Sequence, residues 1–439
     1  MRELLDLESG GEDLPDAFRS IPLAYEFLRR NIVMLKHPRT RRIVYYQMLA
    51  ALFGQGSSVY SFERWSAFLE AAPRRLLWLM WVMYVDDGSL VDLTAAKGSG
   101  QALIHEFFDA IGTGLSPEKR GWMSQESTFL GIEHTFKDLV QRHVVSFWPK
   151  EAIEEEIRAQ ILEFRASRRC APGEASKFRR VTGFASEAQF GQLGRAPMRP
   201  FKLRQYWDTP PWLFTTTMER SADFIEMLLN LRLEREVHVA PDSRKALVVA
   251  SDAQVEPGEW PGGGALVYDP GDGLKFGGYL EFKETALSAW KLTFGDLEAG
   301  KQPIQLCEAA MVPLALIQWP ESFRGRSMVW YVDNTSAMAF FVKGAWANED
   351  LERIVGLFWM LAWHLQVRVW FEWVDSDSNW SDGVSRLLEK DEFSAEHGFP
   401  LEAMAGPTDQ WRQSWPELWA FAERASKKRA LGKTDERAR

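Results

Sequence analysis

Two sets of acidic side chains in this 439-residue chain have the residue types that metal-ion chemistry needs. The first is the pair Asp86 and Asp87, which directly follows the apolar run 77–85. The second set consists of four carboxylates spread over the later half of the chain: Asp252, Glu308, Asp333 and Asp382. Mg²⁺ prefers hard oxygen ligands, and two such ions commonly stabilise the attacking and leaving oxygens of phosphodiester reactions together. The two sets therefore predict two metal sites that act on nucleic-acid backbones.

The composition predicts a globular intracellular protein. With 46% hydrophobic and 26% charged residues the chain can bury large cores, and its length predicts about two or three domains. The two cysteines, Cys170 and Cys307, lie far apart without CxxC spacing, so neither a disulfide framework nor a zinc knuckle is indicated. Residues 1–12 are acidic and lack the apolar segment of a signal peptide. We expect the cytoplasm or the nucleus.

Two apolar segments resemble membrane spans but have the wrong length or composition. Segment 76–85 has only ten residues, which is too short to cross a bilayer, and predicts a buried helix end or strand. Segment 356–374 carries His364, Gln366 and Arg368 in its middle, where lipid would make each of them costly. It predicts a buried helix followed by a strand, and no membrane partner is expected.

The first acidic pair belongs to a predicted β-hairpin. The apolar run 77–85 is interrupted by Asp86, Asp87, Gly88 and Ser89, and an apolar strand pattern resumes at 90–93. This pattern places two carboxylates at the hairpin turn. An Asp-Asp pair arises by chance about once in a chain of this length, so the pair alone does not separate a metal site from an ordinary acidic turn.

The surrounding order of residues resembles the palm of a reverse transcriptase. In that family an Asp at a strand end is followed at the fifth place by an aromatic residue, and a YxDD hairpin comes about seventy residues later, as do Asp13, Phe18 and Tyr84-Val85-Asp86-Asp87 here. The resemblance implies that Asp13 and Asp86 bind two metal ions and that Asp87 is a less critical neighbour. It also implies that Phe18 lies under the sugar of the incoming nucleotide.

Further segments extend this resemblance. Phe53 and Gly54, within 53–58, are similar to the glycine-containing segment on which the template base and nucleotide rest. Lys119, in 114–119, is similar to the family's lysine that donates a proton to pyrophosphate, and 129–132 resembles the entry to the primer grip. Only twelve residues precede Asp13, where the family has a fingers subdomain, so the resemblance implies a palm that lacks most of the fingers.

A basic region separates the two candidate sites. Residues 158–204 contain eleven basic and three acidic side chains, a local charge of +8 in a chain whose net charge is −9. Such a run is either a solvated helical surface or a track for a nucleic-acid backbone, and its position between two phosphodiester sites favours the second. Segments 177–186 and 190–195 resemble the thumb-to-connection stretch of DIRS-type retrotransposons. The resemblance implies four nucleic-acid-binding residues: Lys177, Arg179, Arg180 and Arg195.

The second acidic set resembles a ribonuclease H-like fold over residues 246–388. Strand 246–250 leads to Asp252 and is followed by a glycine turn at 262–264 and a returning strand. Glu308 lies in an apolar helix whose first turns would put it against the sheet, and Asp333 ends a buried strand. Segment 379–386 matches the closing motif, which makes Asp382 the fourth carboxylate, with Asp375 and Asp377 as rivals. The long spacing from Asp252 to Glu308 implies an insertion at 269–300.

Together these observations predict a multidomain α/β chain. Its parts are an N-terminally truncated α+β polymerase palm (1–135), a basic helical thumb and connection (136–240), a ribonuclease H-like mixed sheet flanked by helices (245–390) and a tail (391–439). The resemblance is to the reverse transcriptase and ribonuclease H region of a retrotransposon polyprotein, of DIRS or LTR type.

The activity implied is RNA-directed DNA polymerase with RNA–DNA hybrid ribonuclease, using two Mg²⁺ or Mn²⁺ ions per site. The expected partners are template-primer, deoxynucleoside triphosphates, RNA–DNA hybrid and other parts of the polyprotein. Three alternatives stay open: a decayed remnant that only binds nucleic acid, a ribonuclease H-like nuclease without polymerase activity, and a ribonuclease H-like integrase or transposase.

Overall fold

The computed structural model describes residues 6–189, 191–206, 210–240, 244–301, 303–344 and 348–427. The chain forms two compact units. The N-terminal unit contains residues 1–150 together with 234–240, and the C-terminal unit contains 151–233 together with 241–439.

The N-terminal unit combines short strands with two longer helices. Its strands are β1 (Leu7–Asp13), β2 (Ile32–Lys36), β3 (Ile43–Gln47), β4 (Met80–Tyr84), β5 (Asp87–Leu93), β6 (Gly121–Ser124), β7 (Glu126–Phe129), β8 (Ile132–Thr135), β9 (Val144–Pro149) and β10 (Arg235–His238). Its helices are α1 (Tyr25–Leu28), α2 (Gly56–Leu76), α3 (Ser99–Ala110) and α4 (Leu139–Arg142).

Three sheets organise this unit. One has the order β4-β5-β1-β6, a second has the order β10-β9-β8-β7, and β2 pairs with β3. The first sheet is antiparallel, and its register sets Asp13 of β1 opposite Asp87 of β5. The predicted hairpin of residues 77–93 is confirmed, since β4 and β5 pair from Met80↔Val91 to Tyr84↔Asp87.

Strand β4 is buried on only one face, whereas the apolar segment 76–85 was expected to be buried throughout. Trp81 is 1% exposed, whereas Met80 and Tyr84, which alternate with it, are 53% and 62% exposed. Successive side chains of a strand point to opposite faces, and β4 is an edge strand with one open face. Apolar composition alone could not show that only one face is covered.

The Trp81 ring requires a glycine at position 88 on the neighbouring strand. A Cβ atom there would lie 2.0 Å from Trp81 Cη2 and 2.4 Å from Cζ2. Because the indole is fully packed, we expect Gly88→Ala to destabilise the hairpin by about 2–3 kcal/mol through overpacking. Hydrogen exchange of the β4 and β5 amides in the full chain would measure it. Gly114→Ala, where a Cβ meets open space, is the matched control and should leave exchange unchanged.

The C-terminal unit is a six-stranded sheet surrounded by helices. Its strands are β11 (Leu247–Gln254), β12 (Gly262–Tyr268), β13 (Lys275–Glu281), β14 (Ser327–Val332), β15 (Arg368–Trp373) and β16 (Leu401–Ala403). Its longer helices are α5 (Glu151–Ser167), α6 (Pro172–Ala188), α7 (Arg199–Tyr206), α8 (Thr216–Asn230), α11 (Ile304–Gln318), α13 (Thr335–Lys343), α14 (Glu349–Leu365) and α17 (Trp415–Ser426). Shorter ones are α9 (Glu284–Ser288), α10 (Phe294–Glu298), α12 (Pro320–Phe323), α15 (Asp382–Leu387) and α16 (Glu392–His397).

This sheet is mixed, as expected, with the order β15-β14-β11-β12-β13-β16. The pairs β11–β14, β14–β15 and β13–β16 are parallel, and β11–β12 and β12–β13 are antiparallel. Helix α14 followed by β15 confirms the buried helix and strand predicted for 356–374.

The glycine turn expected at 262–264 is wrong, because these glycines lie inside β12. A Cβ at position 264 would lie 2.7 Å from the Val384 side chain, and one at position 263 would lie 2.4 Å from Met311 Sδ. The glycines therefore let α15 approach one face of the strand and α11 the other. Close helix packing, and not chain reversal, accounts for this glycine run.

The boundaries of the two compact units do not coincide with the domain ranges expected from the sequence. Residues 136–150 join the N-terminal unit because β9 pairs with both β8 and β10. Helices α5–α8 share a continuous core with the sheet of the C-terminal unit. Segment 391–427, expected as a tail, supplies β16 and α17, whose Leu418 and Trp419 are buried. Residue 190 of the segment 190–195 and residues 428–439 of the predicted tail lie outside the described residues.

Across the described ranges, no helix combines the length and apolar character that a bilayer crossing requires.

Candidate functional site

Three of the predicted carboxylates meet at one edge of the six-stranded sheet. Oxygen atoms of Asp252, Glu308 and Asp333 all lie within 4.8 Å of one another. Asp252 lies in β11, Glu308 in the second turn of α11, and Asp333 directly after β14. Within the described parts of the chain, this is the one group of three acidic, histidine or cysteine side chains so close together. We call it the acidic trio.

Asp252 is the most buried member of the acidic trio. It is 5% exposed, and its Oδ2 accepts a hydrogen bond of 2.5 Å from Ser385 Oγ of α15. Burial raises the pKa of Asp252 to about 7, and the nearby Asp333 and Asp382 act in the same direction. The carboxylate is therefore held in place by a hydroxyl that fixes its orientation but does not neutralise its charge.

Glu308 has a carboxylate oxygen that needs a partner. Burial, followed by the charges of Asp252 and Asp333, raises the pKa of Glu308 to about 8. Asn334 favours the charged form of Glu308 and so opposes this rise in pKa, while the Asn334 Oδ1 accepts from the Ser336 and Ala337 amides at the start of α13. One Glu308 carboxylate oxygen, Oε2, is buried and has no hydrogen-bond partner among the described residues. A buried, unpaired carboxylate oxygen is costly unless a cation approaches it.

Asp333 is positioned through both its side chain and its backbone. Ser376 Oγ donates to Asp333 Oδ2 at 2.9 Å, and the Trp373 indole N–H donates to the Asp333 carbonyl at 2.9 Å. Both donors come from β15 and the turn that follows it. The end of β14 is thereby fixed with the Asp333 carboxylate beside the other two.

The acidic trio fits a divalent cation. It offers hard oxygen ligands from three elements, and burial together with the repulsion among the carboxylates raises the pKa values of Asp252 and Glu308. The unpaired Glu308 Oε2 gives a cation an oxygen for which no protein donor competes in the described chain. In the absence of a cation, protons would have to supply this neutralisation.

The expected fourth carboxylate lies outside the trio. Asp382 begins α15 and makes a bidentate ion pair with Arg386, with distances of 3.0–3.1 Å. It is near enough to raise the pKa of Asp252. Its rivals are placed differently, since Asp375 accepts from the Asp377 backbone N–H in a short turn and both are exposed. The Asp382–Arg386 pair is a local i,i+4 contact that sequence reasoning passed over.

The palm candidates of the N-terminal unit also come together. Asp13 and Asp87 are register partners, and Asp86 lies in the turn, where its carbonyl accepts from the Leu14 N–H at 2.9 Å. Lys119 Nζ lies 2.9 and 3.0 Å from the two Asp13 carboxylate oxygens. Burial and then the charges of Asp86 and Asp13 raise the pKa of Asp87. The hydrogen bond to Asp13 raises the pKa of Lys119.

Glu12, the residue before Asp13, is a further buried carboxylate that was missed from the sequence. Glu12 accepts hydrogen bonds from Gln101 Nε2 at 2.9 Å and pairs with His105 Nε2 at 3.0 Å. Arg120 Nε lies 3.3 Å from Glu12 Oε1. Burial raises the pKa of Glu12 despite this arginine. The only sequence signal was a charged residue at a position of β1 that faces the interior.

The candidate nucleotide-contact residues are neighbours. The Phe18 ring lies 4.9 Å from the Phe53 ring and 5.3 Å from the Phe62 ring, each in an edge-on arrangement. Phe53 is 64% exposed. Gly54 has a φ of 84°, a left-handed conformation that favours glycine, and its Cα faces open space. The sequence order Phe18, Phe53 and Gly54 therefore corresponds to one local surface.

The predicted nucleic-acid-binding residues are largely engaged within the C-terminal unit. Lys177 pairs with Glu156 at 2.9 Å, Arg179 donates to Gln205, and Arg195 pairs with Glu187. Arg180 is exposed. Other arginines of the basic stretch pair with acidic residues of α8, such as Arg165 with Asp223 at 2.6 Å. The local charge of +8 is thus partly balanced by side chains from outside the stretch.

Comparisons with known proteins leave the family open. No protein-family model matches the chain. No curated protein matches it either. Among solved structures, the chain is similar to the foamy viral protease-reverse transcriptase in complex with dsDNA, with 16% sequence identity and a TM-score of 0.41. That similarity covers 85% of this chain and 69% of the other. Values this low do not establish family membership.

Proposed function

We propose that the C-terminal unit hydrolyses the RNA strand of RNA–DNA hybrids at the acidic trio, and that the N-terminal unit transfers nucleotides to a primer at Asp13, Asp86 and Asp87. The observation that carries the proposal is the acidic trio, with its oxygens within 4.8 Å and an unpaired buried oxygen on Glu308. The expected partners are RNA–DNA hybrid, template-primer and deoxynucleoside triphosphates.

Each residue around the trio has a definite part in this proposal. Asp252, Glu308 and Asp333 would hold divalent cations, for which Mg²⁺ or Mn²⁺ has suitable oxygen preference. When bound, such ions supply Lewis-acid stabilisation of the attacking and leaving oxygens. Ser385 and Ser376 orient the Asp252 and Asp333 carboxylates by hydrogen bonds of 2.5 and 2.9 Å. Preset ligand orientation lowers the reorganisation needed during the reaction.

In the N-terminal unit, Asp13 and Asp86 would hold the cations that assist attack of a primer 3′-hydroxyl. Lys119 would protonate the leaving pyrophosphate, a role that suits an exposed ammonium group whose pKa is raised by Asp13. Phe18 and Phe53 would contact the nucleotide. Charge balance at Asp13 is already provided by Lys119 in this structure, so cation binding there requires Lys119 to move.

The deciding experiment incubates the full chain with end-labelled RNA annealed to a shorter DNA primer, with deoxynucleoside triphosphates and either Mg²⁺ or EDTA. Mg²⁺-dependent cleavage of the RNA is expected from the acidic trio, and primer extension is expected from the N-terminal unit. Hybrid binding without either reaction would contradict the proposal and indicate a binding remnant. Cleavage of duplex DNA in place of hybrid RNA would indicate an integrase-like or transposase-like activity.

A nuclease without polymerase activity is the second candidate, and one observation favours it. In the described chain, Asp13, Asp86 and Asp87 do not approach one another as closely as the acidic trio, and Lys119 neutralises Asp13. RNA cleavage without primer extension in the same assay would select this candidate.

If the polymerase is active, Lys119→Gln is expected to slow primer extension by about 10- to 100-fold. The substitution removes a charge-assisted hydrogen bond and a proton donor and leaves a neutral polar side chain that is one atom shorter. Single-turnover extension of a labelled primer would measure the rate. Lys97→Gln, at an exposed position of the same unit, is the matched control. Equal rates for the two variants would show that Lys119 takes no part in extension.

A further inference from the structure

A cavity of about 270 Å³ in the C-terminal unit is lined by more positive than negative side chains. Arg199, Arg204, Arg220 and Arg353 line it, together with Glu349 and Glu352. Four arginines against two glutamates leave a formal charge of +2. Neither the acidic trio nor Asp13, Asp86 and Asp87 line this cavity, so its arginines are not ion-pair partners of those carboxylates there.

Two of these arginines are held by neutral acceptors. Arg204 donates to the backbone carbonyls of Cys170 and Leu213, at 2.8 and 2.9 Å. Arg353 donates to the Gln413 carbonyl, and its guanidinium lies 4.7 Å from the centre of the Trp415 ring. Carbonyls and an indole face orient a guanidinium without cancelling its charge. Both guanidinium groups are thereby held in position without a carboxylate partner in these contacts.

The charges around Arg353 are mixed. Burial lowers the pKa of Arg353, the charges of Glu349 and Asp350 oppose this shift, and the charges of Arg220 and Arg412 add to it. The first turns of α8, α14 and α17 also line the cavity, and acidic residues in these turns, such as Glu219, Glu349 and Glu417, offset the partial positive charge of the helix N-termini. Arg199 is offset by Glu352, whose carboxylate lies 3.2 Å away. The net positive charge of the lining therefore comes from its arginines, chiefly Arg204, Arg220 and Arg353.

We propose that this cavity binds a terminal phosphate group, carried either by the 5′ end of a nucleic-acid strand or by a free nucleotide. A phosphomonoester has a charge of about −1.5 to −2 at pH 7, which matches the formal +2 of the lining. Arginine forks suit phosphate oxygens geometrically. The apolar side chains of Leu203, Met218 and Trp415 line the same cavity and would contact the adjoining sugar or base. A concave cavity of this size suits a strand end better than a continuous backbone.

Isothermal titration calorimetry of the full chain in EDTA tests the proposal without interference from metal-dependent sites. The probes are inorganic phosphate, a nucleoside 5′-monophosphate and two identical short DNA strands, one with and one without a 5′-phosphate. Binding of phosphate and a tighter affinity for the 5′-phosphorylated strand than for its 5′-hydroxyl counterpart are expected. A preference for the mononucleotide over the phosphorylated strand would support the same site with a free nucleotide as its source.

Variants then assign the binding to the cavity. Arg220→Gln changes an exposed side chain and is expected to weaken phosphate binding by about 10- to 100-fold. Arg353→Gln should weaken it at least as much, and circular dichroism would show whether that variant is folded. Arg424→Gln, an exposed arginine of α17 that does not line the cavity, is the matched control. The proposal is overturned if neither phosphate nor the phosphorylated strand binds, or if Arg220→Gln binds like the control.

Discussion

Asp333→Asn is expected to lower Mg²⁺-dependent cleavage of hybrid RNA by about 10³-fold or more, because it removes one negative ligand from the acidic trio. Asparagine keeps the shape of the side chain and can still accept the hydrogen bond from Ser376 Oγ, which lies 2.9 Å from Asp333 Oδ2. The loss should therefore report charge and not local folding. Single-turnover cleavage of end-labelled RNA in a hybrid would measure it.

Three further variants, at Asp272, Asp382 and Asp377, serve as the control and the comparisons for this experiment. Asp272→Asn removes an exposed carboxylate of the same unit and should leave cleavage unchanged. Asp382→Asn should have an effect intermediate between the two, because Asp382 lies near Asp252 but is engaged by Arg386 at 3.0 Å. If Asp333→Asn cleaves like the control, the acidic trio is not the nuclease site. An Asp377→Asn variant that loses as much activity as Asp333→Asn would instead select that rival as a ligand.

The acidic trio was predictable because each member lies at a recognisable point of local structure. Asp333 follows an apolar strand, and Glu308 interrupts an apolar helix near its start. Strand ends and helix first turns can be inferred from hydrophobic periodicity, and parallel strands bring their ends to one edge. The hairpin that carries Asp86 and Asp87 was predictable for the same reason.

The surroundings of the carboxylates were not predictable, because long-range contacts set them. Ser385 reaches Asp252 from more than a hundred positions away, and the Asp13–Lys119 ion pair spans a similar distance. Several acidic partners of the basic stretch lie on α8 outside it, as with Arg165 and Asp223, so a local charge count overstated the free positive surface. The division into two compact units also depends on long-range contacts, since β10 returns to pair with β9.

The glycines at 262–264 were recognised as important from the sequence, but the reason inferred for them was wrong. They were expected to form a turn, whereas they lie inside β12. Only the contacts of Gly264 with Val384 and of Gly263 with Met311 show that helix packing on both faces requires them. Such contacts depend on the order of elements in space, which a local sequence pattern does not contain.

Without metal, the C-terminal unit is expected to become less stable as pH rises from about 4 to about 8. The folded-state pKa of Asp252 is about 7, and that of Glu308 is about 8, compared with ordinary values of 3.8 and 4.5. Between these values the folded chain binds more protons than the unfolded chain, so raising the pH favours unfolding. For Asp252 alone, a shift of this size corresponds to about 4 kcal/mol by pH 8.

Thermal and urea unfolding at pH 5 and pH 8, in EDTA and in Mg²⁺, would measure this effect. Asp252→Asn should flatten the pH dependence in EDTA and make the protein more stable at pH 8, since asparagine carries no charge and still accepts from Ser385 Oγ. Mg²⁺ should stabilise the wild type at pH 8 and help Asp252→Asn much less, because cations then replace protons in neutralising the trio. Asp272→Asn should behave like the wild type throughout. If stability depends on pH in the same way in the wild type and in Asp252→Asn, ionisation of Asp252 does not destabilise the folded chain. The trio would then lack the mutual repulsion on which its cation affinity depends.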